Sequence, residues 1–105
     1  MFGSHFSNKK QVFDLLHSVI GCLISHKLLD ISIRLSKEFE KRLNDEDILE
    51  KIKFMFICGA IDYSKKNHLN GKNQMENAIE IFRTVKSFRL ANSYQISMDK
   101  LISND

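Results

Sequence analysis

A chain of 105 residues has room for one domain and one core, with a small stability margin. An apolar fraction of 43% and a charged fraction of 28% exclude a disordered chain, and no proline with only four glycines argues against an all-β fold and its many tight turns. The formal charge of +3 is too mild to announce nucleic-acid binding by itself.

Cys22 and Cys58 are the only cysteines, and each lies in an apolar stretch. They read as buried thiols of a reducing compartment, not as a disulfide framework. Lys9 and Lys10 ahead of Val12 to Ile24 loosely mimic a signal peptide, but Asp14 and His17 interrupt the run and no small-residue cleavage site follows. The segment is also too short to span a bilayer, so no membrane partner and a cytoplasmic location are expected.

Residues 1–7 form a short lead-in whose Gly3-Ser4-His5 triplet has no structural reading. The first helix is predicted from Lys9 to about Lys27, capped by Asn8 with Gln11 reaching back. Val12, Leu16, Val19, Ile20 and Leu23 form its apolar stripe, and Gly21 is a weak spot that a close-packed helix would make tolerable. Asp30 caps a second helix to about Leu43, with Leu35, Phe39 and Leu43 on one side and Asp30–Arg34 and Glu38–Arg42 pairs on the other. The alternation Leu29, Ile31, Ile33 is too brief for a strand. Asn44 and Asp45 break the chain and cap a third helix, Glu46 to Lys66. Its segment Phe54 to Ile61 is apolar on every face and so belongs at the centre of the fold. Asn67 is expected to end that helix in the left-handed conformation. A loop over Leu69 to Lys72 precedes a fourth helix ending near Lys86, with Met75, Ala78, Ile79, Phe82 and Val85 inward. A fifth runs from about Leu90 to Ile102, with Ala91, Tyr94, Met98 and Leu101 aligned. The expected fold is therefore all-α, a compact bundle of four to five helices in a single domain over 1–105.

Few residues suggest chemistry. Cys22 and His26 stand four apart, a spacing that can place two ligands on one metal, but His17 lies on another face and no third ligand repeats the spacing. A core cysteine beside a helix-end histidine is the preferred reading. Cys58 with Asp62 lacks a base or cationic neighbour to hold a thiolate, Glu46 and Glu50 read as a solvated face, and Lys66 to Asn77 lacks the carboxylates of a calcium loop. No phosphate-binding glycine loop is present. Phe56, Ala60 and Tyr63 followed by Ala78 and Phe82 resemble the tetratricopeptide helical hairpin. The link from Tyr63 to Ala78 is longer than in that hairpin and no second copy follows at its period. The pattern is accordingly read as helix packing through a small Gly59–Ala60 contact, with no family assigned.

Arg83, Lys86 and Arg89 at the end of the fourth helix, with Lys65, Lys66 and Lys72, are the candidate anion or nucleic-acid patch. Phe2, Phe6 and Phe88 lie outside the stripes and are candidates for an exposed interface that self-association into a homodimer would cover. No enzyme, cofactor or metal is expected. The leading reading is a small bacterial-type protein–protein interaction module, an adaptor, inhibitor or immunity-type partner. The alternative is a helix-turn-helix nucleic-acid-binding protein that uses the last two helices.

Overall fold

The computed structural model describes residues 9–104. Five helices follow one another: α1 (Lys9–Ser25), α2 (Leu29–Lys41), α3 (Ile48–Ser64), α4 (His68–Thr84) and α5 (Phe88–Ser103), with no strand among the described residues. The all-α bundle is therefore what the chain forms. The expected lead-in, the Asn8 cap, and Phe2 and Phe6 lie outside the described residues.

Three of the four links are one and the same turn. Lys27, Lys66 and Lys86 have φ of 61°, 75° and 63°, the left-handed conformation usually left to glycine. In each turn the next residue sends its N–H back across the helix end: Leu28 to the Leu23 carbonyl (2.9 Å), Asn67 to Asp62 (3.0 Å) and Ser87 to Phe82 (2.8 Å). These bonds satisfy carbonyls that a helix end otherwise leaves without partners. The same Leu28, Asn67 and Ser87 then begin the following helix, their carbonyls accepting from Ser32, Gly71 and Ala91. One residue thus closes one helix and opens the next, and a link this short returns the chain alongside itself.

This turn shifts several expected boundaries. The left-handed residue is Lys66, not Asn67, and α4 begins at His68, so the expected loop over Leu69 to Lys72 is helical. Asp30 sits in the first turn of α2 rather than at its cap, and Asp47 precedes α3, its carboxylate accepting from the Asn44 N–H at 2.8 Å. The residues that open α2 to α5 are Leu28, Asp47, Asn67 and Ser87, 19, 20 and 20 positions apart. The chain therefore repeats structurally with a two-helix period of 39 to 40 residues, longer than the tetratricopeptide period of about 34. The extra residues between Tyr63 and Ala78 lengthen helices, not the link.

Each helix packs on the next, and α1 also packs on α3. The most extensive interface joins α3 to α4 and rests on two glycines. A Cβ on Gly71 would lie 2.4 Å from the Tyr63 nitrogen and 2.6 Å from the Gly59 carbonyl oxygen, and one on Gly59 would lie 2.9 Å from the Gly71 carbonyl oxygen. The two backbones are in direct contact. The expected close approach at Gly59–Ala60 is present, and its other half is Gly71.

The apolar octet lies within α3, with Phe56, Ile57, Gly59, Ala60 and Ile61 buried and Phe54, Met55 and Cys58 half-buried. Around it the core collects Phe13, Ile20 and Ile24 from α1, Phe39 from α2, Met75, Ile79 and Phe82 from α4, and Tyr94 and Met98 from α5. Each such side chain contributes about 1.5–3 kcal/mol by leaving water. Phe13, Phe39 and Phe54 meet in sequence, with ring centroids 4.8 and 5.9 Å apart, and hold α1, α2 and α3 together. Glu38 pairs with Arg42 (3.2 Å) as the charge pattern predicts, and with Lys41 (3.1 Å). No helix among the described residues is long and apolar enough to cross a membrane.

Candidate functional site

Because each helix reverses on the last, α1, α3 and α5 run in one direction, and together they line a groove of about 600 Å³. Each contributes one face: His17, Ile20, Gly21, Ile24 and Ser25 from α1; Phe56, Ile57, Ala60, Tyr63 and Ser64 from α3; Tyr94, Ser97, Leu101 and Asn104 from α5. The two-helix period is visible in this lining. Gly21 and Ala60, Ser25 and Ser64, and Lys27 and Lys66 are 39 positions apart and occupy equivalent places.

The floor is apolar, made by Ile20, Ile24, Phe56, Ile57 and Ala60, while Ser25, Ser64 and Asn104 stand where the helices end and Ser97 lies further back along α5. Lys27, Lys66 and Lys100 also line it there, and no aspartate or glutamate does among the described residues. An apolar channel with cations at one end suits an elongated apolar molecule carrying an anionic group. Gly21 leaves room in this channel. A Cβ built on it would meet nothing within 4 Å, so the expected close-packed helix beside Gly21 is not there.

His17 and Tyr94 join the two outer helices of the groove. The Tyr94 hydroxyl and His17 Nε2 share a hydrogen bond of 2.5 Å, across 77 positions of sequence. Tyr94 is held in turn by Phe56 and Phe82, at 4.7 and 5.1 Å between centroids. Burial lowers the His17 pKa to about 4, reinforced by the nearby Lys53 ammonium and opposed by Asp14. At neutral pH the imidazole is uncharged, and its Nε2 is the acceptor the tyrosine needs. Burial pushes the Tyr94 hydroxyl well above its ordinary value, so it remains a donor. Beneath them Lys53, itself buried, pairs with Glu50 at 3.3 Å and Asp14 at 4.0 Å. The sequence reading missed this site, since its residues are far apart in the chain. The one available signal was His17, on a helix face otherwise apolar.

The six cations of the expected patch fall into two groups. Lys65, Lys66 and Lys72 lie at the start of α4, and Arg83, Lys86 and Arg89 about its end. Their nearest members along α4, Lys72 and Arg83, stand 11 residues apart, about 16 Å at 1.5 Å per residue. Arg83 is bonded to Glu80 at 3.3 Å and reaches the Gln95 side-chain oxygen at 3.5 Å. Lys86 and Arg89 are exposed at the α4–α5 turn, with Phe88 between them, 57% exposed.

The cysteines divide. Cys58 is half-buried, and burial raises its thiol to about 11, with Glu40 and Asp62 adding to the effect, so it is a poor nucleophile. Cys22 is exposed, which corrects its reading as a core residue. Successive residues of a helix are turned by about 100°, and Cys22 is turned away from the core that Ile20 and Ile24 enter. No group of three or more metal-ligating side chains occurs among the described residues.

No curated protein and no solved structure matches this chain. Residues 2–96 match the family described as HTH-type transcriptional regulator Rgg, C-terminal domain. A transcriptional regulator is not an adaptor, an inhibitor or an immunity partner, so the match overturns that leading reading and favours the nucleic-acid alternative. Since the match spans nearly the whole sequence, the chain belongs to the family of C-terminal domains of the HTH-type transcriptional regulator Rgg.

Proposed function

We propose that this chain acts in the cytoplasm in transcriptional control, as part of a helix-turn-helix DNA-binding regulator. The family match over residues 2–96 carries that reading. The chain has two surfaces to contribute. One is the groove, where binding of an apolar anion against Lys27, Lys66 and Lys100 would draw α1, α3 and α5 into one arrangement. A ligand that prefers one arrangement shifts its population and so can alter DNA affinity. The other is the turn between α4 and α5, where exposed Lys86 and Arg89 stand beside Arg83 and offer positive charge to phosphates.

A titration with duplex DNA over a range of salt concentrations separates the two. If the α4–α5 turn touches the backbone, affinity falls steeply with salt, and Arg83→Glu with Lys86→Glu both weakens binding and flattens that slope by about one unit per lost contact. Binding indifferent to salt or to these substitutions removes the turn from the reading. The chain's part would then rest on the groove alone.

A further inference from the structure

We propose that Cys22 and His26 form half of a binding site for a thiophilic divalent cation such as zinc, which a second copy of this chain completes. The sequence sets the pair four residues apart, one helical turn, and the structure brings the two side chains together on the surface. Cys22 Sγ and His26 Nδ1 are 3.8 Å apart, and both residues are exposed. Sulfur and imidazole nitrogen bound to one tetrahedral zinc, at about 2.3 and 2.05 Å, stand about 3.6 Å from each other. The pair thus needs a shift of a few tenths of an ångström. Neither residue lines the groove, so the site is independent of the proposed function.

Two ligands leave a tetrahedral ion half satisfied, and no third ligand lies near among the described residues. The surroundings identify what supplies the rest. Leu15, Val19, Cys22 and His26 are spaced four, three and four along α1, the spacing of a two-helix seam. Leu15 is 52% and Val19 38% exposed, so no described residue of the single chain covers this stripe. Pairing it with the same stripe of a second copy buries the apolar residues and brings together two cysteines and two histidines, a complete zinc set. As each S–Zn bond forms, the thiol proton passes to solvent, and two thiolates neutralise the dication. His26 Nδ1 gives up its contact with the Cys22 carbonyl, 2.9 Å away, to do so.

The test is a titration of the reduced chain with cobalt(II), followed by absorbance, with molecular mass measured by light scattering before and after metal and after chelator. The expected result is a thiolate-to-cobalt charge-transfer band that saturates at about one ion per two chains, with a mass that doubles with metal and halves on chelation. Cys22→Ser should abolish the band, and His26→Ala should weaken affinity by at least about tenfold, since even groups behind metal ligands cost that much. Both positions are exposed, so an unchanged thermal melt verifies that the variants fold. The proposal is overturned if no band appears, if the band survives Cys22→Ser or is lost in Cys58→Ser, or if one ion binds per chain with no change in mass.

Discussion

Three glycines divide this molecule into a part that is closed and a part that is open. Gly59 and Gly71 lie where α3 and α4 cross, and any side chain added there meets backbone within 3 Å. Gly21, at the groove, meets nothing within 4 Å. A helical glycine costs about 0.5–1 kcal/mol relative to alanine wherever it stands. At the hairpin that cost is offset by close packing of two backbones, whereas at Gly21 no contact among the described residues offsets it. The α3–α4 hairpin therefore looks built for stability, and the groove for something outside the chain.

The closed side breaks most easily at Gly71. In Gly71→Ala the new methyl lies 2.4 Å from the Tyr63 nitrogen and 2.7 Å from its Cα, and helix backbones cannot step aside as a side chain can. α3 and α4 must separate, loosening Met75, Ala78 and Ile79, which are all buried. Overpacking of this kind costs about 1–3 kcal/mol and occasionally more, and direct backbone conflict places Gly71→Ala at or above the top of that range. Chemical denaturation should show a loss of about 3 kcal/mol or more. A loss under 1 kcal/mol would mean that the two helices are not in backbone contact.

The open side is the more sensitive to acid. His17 titrates near 4 when folded, because burial and Lys53 disfavour its charge, against 6.5 for an unperturbed histidine. Between those values the unfolded chain takes up a proton that the folded chain refuses, so folding stability falls as pH drops from 6.5 to 4 and is unaffected by this group above 6.5. The separation of about 2.5 units corresponds to about 3 kcal/mol when the transition is complete, and less at intermediate pH. Urea midpoints across this range should show the decline, and His17→Gln should remove this contribution while leaving the carboxylate contributions in place. An unchanged slope in His17→Gln would show that His17 is not held neutral against Tyr94.

How far these features could be read in the sequence depends on how local they are. The helix count, the central place of Phe54 to Ile61 and the small contact at Gly59–Ala60 follow from periodicity within single helices, and all appear in the structure. Gly71 was illegible, because Asn70-Gly71 signals a turn and the helix that contains it starts through Lys66, a residue type that rarely adopts positive φ. Cys22 was misplaced because its apolar neighbours suggested a buried stretch, although its angular position faces solvent. The groove depends on residues as distant as His17 and Tyr94, which no local pattern joins. The function was legible only as the second of two readings, the nucleic-acid alternative, and it took the family match to set it above the interaction module.

The smallest expected effect is the one that best separates the two sides. Gly21→Ala adds a methyl to an α1 position with open space around it, so the free chain should gain about 0.5–1 kcal/mol, the ordinary difference between the two residues in a helix. Gly21 lines the groove together with Ile20, Ile24 and Ala60, so the methyl is added at the groove wall. If an apolar anion uses that space, the variant is more stable alone yet gains less from the ligand. Thermal melts with and without a medium-chain carboxylate would therefore show the variant ahead in the free state and a smaller ligand-induced shift. Equal shifts in both proteins would mean that Gly21 keeps no space for a ligand, and that its cost in the helix has no counterpart in binding.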